Sequence, residues 1–76
     1  MNIQVEKKVG QNIRRLREAA GMTQELFAAR LQVMGCDITR SAVAKIEVGQ
    51  RHIYPDEIIC IKEILNVEYN EIFSIQ

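Results

Sequence analysis

Apolar residues recur along this chain at spacings of three and four, and no stretch alternates with period two for long enough to make a strand. Val9, Ile13, Leu16 and Ala20 fall at i, i+4, i+7 and i+11, one face of a first helix. Gly21 ends it by taking a left-handed conformation without penalty. Thr23 offers a hydroxyl to cap a second helix, which turns Phe27, Ala28 and Leu31 inward, runs to about Met34 and stops at Gly35. Thr39 opens a short third helix with Val43 and Ile46 inward and Gly49 as its stop. Pro55 suits the first turn of a fourth helix, where its missing N–H costs nothing, and Asp56 and Glu57 add charge favoured at that end. Ile58, Ile61 and Leu65 form its buried stripe and Asn66 its left-handed cap; a last short helix, Tyr69 to Phe73, contributes Ile72 and Phe73. The pattern predicts an all-α fold, a compact bundle of five short helices around one core.

Seventy-six residues with 47% hydrophobic content make a single domain, residues 1–76, with one core and no room for a second. No apolar run approaches the ~20 residues needed to cross a bilayer. The opening MNIQVEKKVG lacks the basic-then-apolar layout of a secretory signal. A cytoplasmic protein with no membrane partner is expected. Cys36 and Cys60 form no CxxC pair, and with His52 alone there is no ligand set for a metal; free thiols, no metal and no cofactor follow. Catalysis also lacks its parts: Ser41 and Ser74 have no histidine nearby in sequence, and Asp56-Glu57 is accounted for as helix N-terminal charge, so no enzyme is expected.

A formal net charge of zero hides a polarised chain. Through Arg51 there are nine cationic residues against five carboxylates; from His52 onward there is one lysine, Lys62, against five carboxylates. A basic body with an acidic end can present one face to phosphates while the other stays away.

The stretches IRRLREAAGMTQELFAARL, ITRSAVAKIEVGQR, PDEIICIKEILNV and NEIF come in an order that resembles the phage-repressor-like (Cro/XRE-type) helix-turn-helix domains, over roughly residues 9 to 73. The resemblance implies a lambda-repressor-like bundle in which helices 2 and 3 form the helix-turn-helix. It implies a sequence-specific DNA-binding regulator of transcription, a repressor, that lays the third helix (about 39–48) in the major groove. Within that helix Val43 and Ile46 point inward, which leaves Arg40, Ser41, Ala44 and Lys45 outward as base-contacting candidates. Arg40 leads them, because its fork of donors matches the O6 and N7 acceptors of guanine. Gln24, Thr23, Thr39, Gln50 and Arg51 are implied contacts to the DNA backbone, with Gln24 presenting both its amide and a helix N-terminus to a phosphate. Lys7, Lys8, Arg14 and Arg15 flank them. Arg17 and Glu47 match the family's structural ion pair, which ties the first helix to the third.

The chain departs from the family pattern where QVMGCD makes the turn between helices 2 and 3 about five residues longer than usual. Leu26 stands where a charged residue is usual, and no ligand-sensing or catalytic module is visible. Since one helix reads only a few base pairs, the expected partner is a palindromic double-stranded DNA operator bound by a homodimer. Tyr69, Ile72, Phe73 and Ile75 are the expected dimer seam, joined by Leu26. The competing expectation is a protein-interaction module of the same fold, an antitoxin or an antagonist of another regulator, which the acidic C-terminal third favours.

Overall fold

Three helices open on a side chain that accepts a free first-turn N–H, and two on a carboxylate that reaches back to the residue before the helix. In the computed structural model, which describes residues 2–75, α1 spans Ile3–Ala19, α2 Gln24–Val33, α3 Arg40–Glu47, α4 Pro55–Leu65 and α5 Tyr69–Phe73. Asn2 Oδ1 accepts from the backbone of Gln4 and Val5, Thr23 Oγ1 from Leu26, and Thr39 Oγ1 from Ala42. At α4 and α5 the third helical residue reaches back: Glu57 accepts the N–H of Tyr54, and Glu71 that of Glu68. There is no strand among the described residues.

The long turn is built from α2 itself. At its end the Gly35 N–H donates to Gln32 and the Cys36 N–H to Leu31, with Gly35 at φ +85, a left-handed stop closed by the contact of two buried residues, Leu31 and Cys36. Gln32 Nε2 then donates to the Ile38 carbonyl across the turn. Cys36 and Ile38 go into the core while Val33, Met34 and Asp37 stay at the surface. The extra residues thus lengthen α2 and fold back, and α3 still packs on both α1 and α2.

Phe27, Ile13, Leu31, Ile38, Ile61, Ile72 and Val43 are the fully buried side chains at the centre, drawn from all five helices and the turn. Ala20 departs from expectation: it is the exposed residue just past α1, where Gly21 (φ +74) turns the chain away before another inward position is reached. Ile72 also departs from its expected place in a dimer seam. It has no exposed surface, and its burial stabilises the fold by about 1.5–3 kcal/mol, which exposing it to a partner would forfeit.

A close backbone approach and a buried amide help to hold α1 against the rest. Gly10 lies where the backbone of α3 touches α1; a Cβ there would overlap the Ile46 carbonyl oxygen and press on Glu47. Asn12, 3% exposed, donates from Nδ2 to the carbonyls of Ile72 (2.9 Å) and Ser74 (2.7 Å), fastening the end of α5.

Candidate nucleic-acid interface

Glu47, the last residue of α3, is 3% exposed and is the joint of the three N-terminal helices. Arg17 of α1 donates from Nε to Glu47 Oε2 (2.7 Å) and from Nη2 to Glu47 Oε1 (3.1 Å), and its Nη1 donates to the Met22 carbonyl (2.8 Å). Gln24, the first residue of α2, donates its amide to the same Oε1 at 3.0 Å. The fork-to-fork geometry is the strong form of a carboxylate–guanidinium bond. The hydrogen bonds from Glu47 hold the Arg17 guanidinium above its ordinary pKa, against the burial that would lower it. No buried side-chain nitrogen or oxygen among the described residues lacks a partner. The start of α2 is therefore pinned to the end of α3.

So anchored, α3 buries Val43, Ile46 and Glu47 and turns Arg40, Ser41 and Lys45 to solvent, with Ala44 half-buried between them. Among the described residues neither Arg40 nor Lys45 makes an ion pair, so both positive charges stand free. Thr23 and Thr39 are exposed at the openings of α2 and α3, with their hydroxyls engaged as caps. Each cap answers a single N–H, and the helix geometry leaves other first-turn N–H groups without an intrahelical acceptor. Gln50 is exposed, its own N–H closing α3 onto Lys45 at 2.8 Å. Lys7 of α1 packs its stem beside Gly49, and with Gln11 and Arg14 borders the end of α3.

Two implied backbone clamps are otherwise engaged. The Gln24 amide is used internally on Glu47. Arg51 is half-buried and grips Glu57, Nη1 to Oε1 at 2.9 Å and Nη2 to Oε2 at 3.0 Å, while Nη1 also donates to the His52 carbonyl. Those bonds hold the Glu57 carboxyl below the usual carboxylate range, against burial that would raise it. In the acidic C-terminal part of the chain Tyr69, Phe73 and Ile75 are exposed. Val5, Ile53, Ile58, Ile59, Tyr69 and Phe73 line an apolar groove of about 570 Å³ between α1, α4 and α5. The Lys62 ammonium lies 5.3 Å from the centre of the Tyr69 ring, within range of a cation–π attraction.

Sequence reasoning passed over Gly10, Asn12 and the partner of Glu57. A glycine inside a helical stripe is a signal of close packing. Asn12 and Glu57 carry no such signal, because each reads as an ordinary polar helix residue until a distant partner is in place.

A braced pair of helices, the second with a free cationic face and its apolar face buried, defines a DNA-binding transcriptional regulator of the helix-turn-helix class. A family model described as "Helix-turn-helix" matches residues 13–72, and the chain belongs to that family. Among solved structures it is similar to the restriction-modification controller protein C.AhdI from Aeromonas hydrophila, at 32% identity and a TM-score of 0.82, over 93% of this chain and 96% of that one. No curated protein matches the sequence. No helix among the described residues is long and apolar enough to cross a membrane.

Proposed function

We propose that this protein is a sequence-specific repressor that binds a palindromic operator as a homodimer, with α3 of each copy in the major groove. The observation that carries the reading is the free, unpaired pair of cations Arg40 and Lys45 on a helix whose other face is locked by Val43, Ile46 and the Arg17–Glu47–Gln24 joint. Arg40, at the helix opening, takes the base-reading role, with Ser41 and Ala44 alongside and Lys45 one turn on. Thr23, Thr39 and Gln50, with the free N–H groups at the openings of α2 and α3, meet the backbone. The likeness to a restriction-modification controller supports a regulatory role of that kind.

Selection of bound sites from random DNA tests this. The wild-type chain should enrich an inverted repeat, and Arg40→Ala should lose a guanine at one position of each half-site, a discrimination of about 1–3 kcal/mol. Absence of any enriched motif would turn the reading toward a protein-interaction module.

The apolar groove supports the dimer. Tyr69 and Phe73 line it and stand exposed, as does Ile75 two residues on; Ile72, closing the core, is left out. Phe73→Glu is expected to yield a folded monomer in sedimentation at micromolar concentration. A wild-type chain that is itself strictly monomeric there, with and without DNA, would defeat the seam.

A further inference from the structure

Arg51 lies two residues beyond Gly49, where the chain leaves α3, the position at which the sequence implied a phosphate clamp. Its guanidinium is committed elsewhere. Both terminal nitrogens face the two oxygens of Glu57, and Nη1 spends its other donor on the His52 carbonyl. Of the five N–H groups on an arginine, two are left, on Nε and Nη2; what the ion pair takes away is the net positive charge and the freedom of the side chain to swing out to a phosphate. Glu57 is equally fixed: its residue is 9% exposed, its Oε1 also accepts the Tyr54 N–H at 3.0 Å, and it stands in the first turn of α4, whose dipole favours a negative charge.

We propose that Glu57 is a specificity-determining positioning residue, which holds Arg51 off the DNA backbone and cancels its charge beside the recognition helix. The inference rests on the DNA-binding reading above. A cation already neutralised by a buried carboxylate releases no counterion when a phosphate approaches, so it adds nothing to the sequence-independent part of binding. Arg40 and Lys45 carry no such brake. The consequence is a domain whose attraction to DNA is concentrated on the helix that reads bases, while the segment after it stays electrostatically silent. Charge at this loop would strengthen binding to any sequence and so lower the ratio of specific to non-specific affinity.

The test is the salt dependence of binding to an unrelated duplex and to the selected operator, measured between 50 and 200 mM salt below each variant's melting temperature. Glu57→Gln keeps the shape and frees Arg51: the slope of log K against log salt is expected to steepen by about 0.9 per bound copy, one phosphate each and so about 1.8 for the homodimer, with binding to the unrelated duplex at 50 mM several-fold tighter. The neutral pair Arg51→Gln/Glu57→Gln is expected to return the slope to that of the wild type. Arg51→Met/Glu57→Leu serves as a second neutral pair where the glutamine pair does not fold. A neutral pair with a slope shallower than wild type by about 0.9 per bound copy would mean that Arg51 clamps phosphate despite Glu57, and would overturn the inference. An unchanged slope in Glu57→Gln, or a steepening that persists in the neutral pair, overturns it as well. A wild-type chain without salt-dependent DNA binding would instead remove the DNA reading itself, a result separate from all of these.

Discussion

Arg17→Ala is expected to cost about 3–5 kcal/mol, the range found when one partner of a buried ion pair is removed and the other charge is left behind. A chain of this length has a total stability on the order of 4–11 kcal/mol, so the variant should lose much of it. Glu47 would keep only the Gln24 amide at Oε1, and the Met22 carbonyl would lose its donor. At roughly 4–8 °C per kcal/mol for a domain of this size, thermal unfolding followed by circular dichroism should move down by more than 10 °C. The pair's value lies in being complete. Arg17→Met/Glu47→Leu, which removes both charges and keeps the volume, should recover most of the loss, since apolar replacements of buried pairs are often neutral or better. It should still bind DNA more weakly than wild type, because Gln24 loses the acceptor that pins the start of α2 to the end of α3. A melting curve for Arg17→Ala within a degree or two of wild type would show that the joint is not structural.

Gly10→Ala is expected to destabilise in a direction opposite to helix propensity. Alanine within an exposed helix interior gains about 0.5–1 kcal/mol over glycine. Here the added methyl would overlap the Ile46 carbonyl oxygen, and that atom belongs to the α3 backbone and cannot swing aside as a side chain would. Either α3 moves away from α1 or the carbonyl is displaced. Overpacking of this kind costs about 1–3 kcal/mol and more when backbone must move. The net expectation, at about 1–2 kcal/mol, is a fall in melting temperature of roughly 5–15 °C. Gly10 and Arg17 are two turns apart on one face of α1, and both bear on Glu47, one on its backbone and the other on its carboxylate. Displacing α3 at Gly10 should therefore strain the ion pair too, so the double variant Gly10→Ala/Arg17→Ala should lose less than the sum of the singles. A Gly10→Ala protein as stable as wild type or more so would mean that the two helices have room to spare.

The helices and their ends were legible because the rules that make them act over a few residues. Thr23, Thr39, Pro55 and Asn66 announce their caps locally, and the structure places each one at the end it announced. The exception at Ala20 is local as well: the apolar stripe continued one residue past the point at which Gly21 ends the helix. The long QVMGCD turn was visible as an insertion, but its course was not. That depended on whether Cys36 and Ile38 could reach the core after a left-handed Gly35, a question answered by packing.

The polar chemistry divides differently. Ile72 and Phe73 stand side by side in one short helix, and only the core decides that the first is sealed and the second exposed. Arg40 and Arg51 are the same residue type at the two ends of the α3 segment, yet one stands free while the other is held by Glu57, on the next helix. Asn12 finds its acceptor 60 residues away. By itself the sequence determined the all-helical bundle and the outward face of the third helix, since periodicity and capping are encoded within a turn or two; the helix-turn-helix within it was implied by the order of its motifs, through their resemblance to a family. Tertiary structure alone decided which charges remain free for DNA. A side chain's availability depends on the partners that folding brings to it, and those lie beyond the reach of any local pattern.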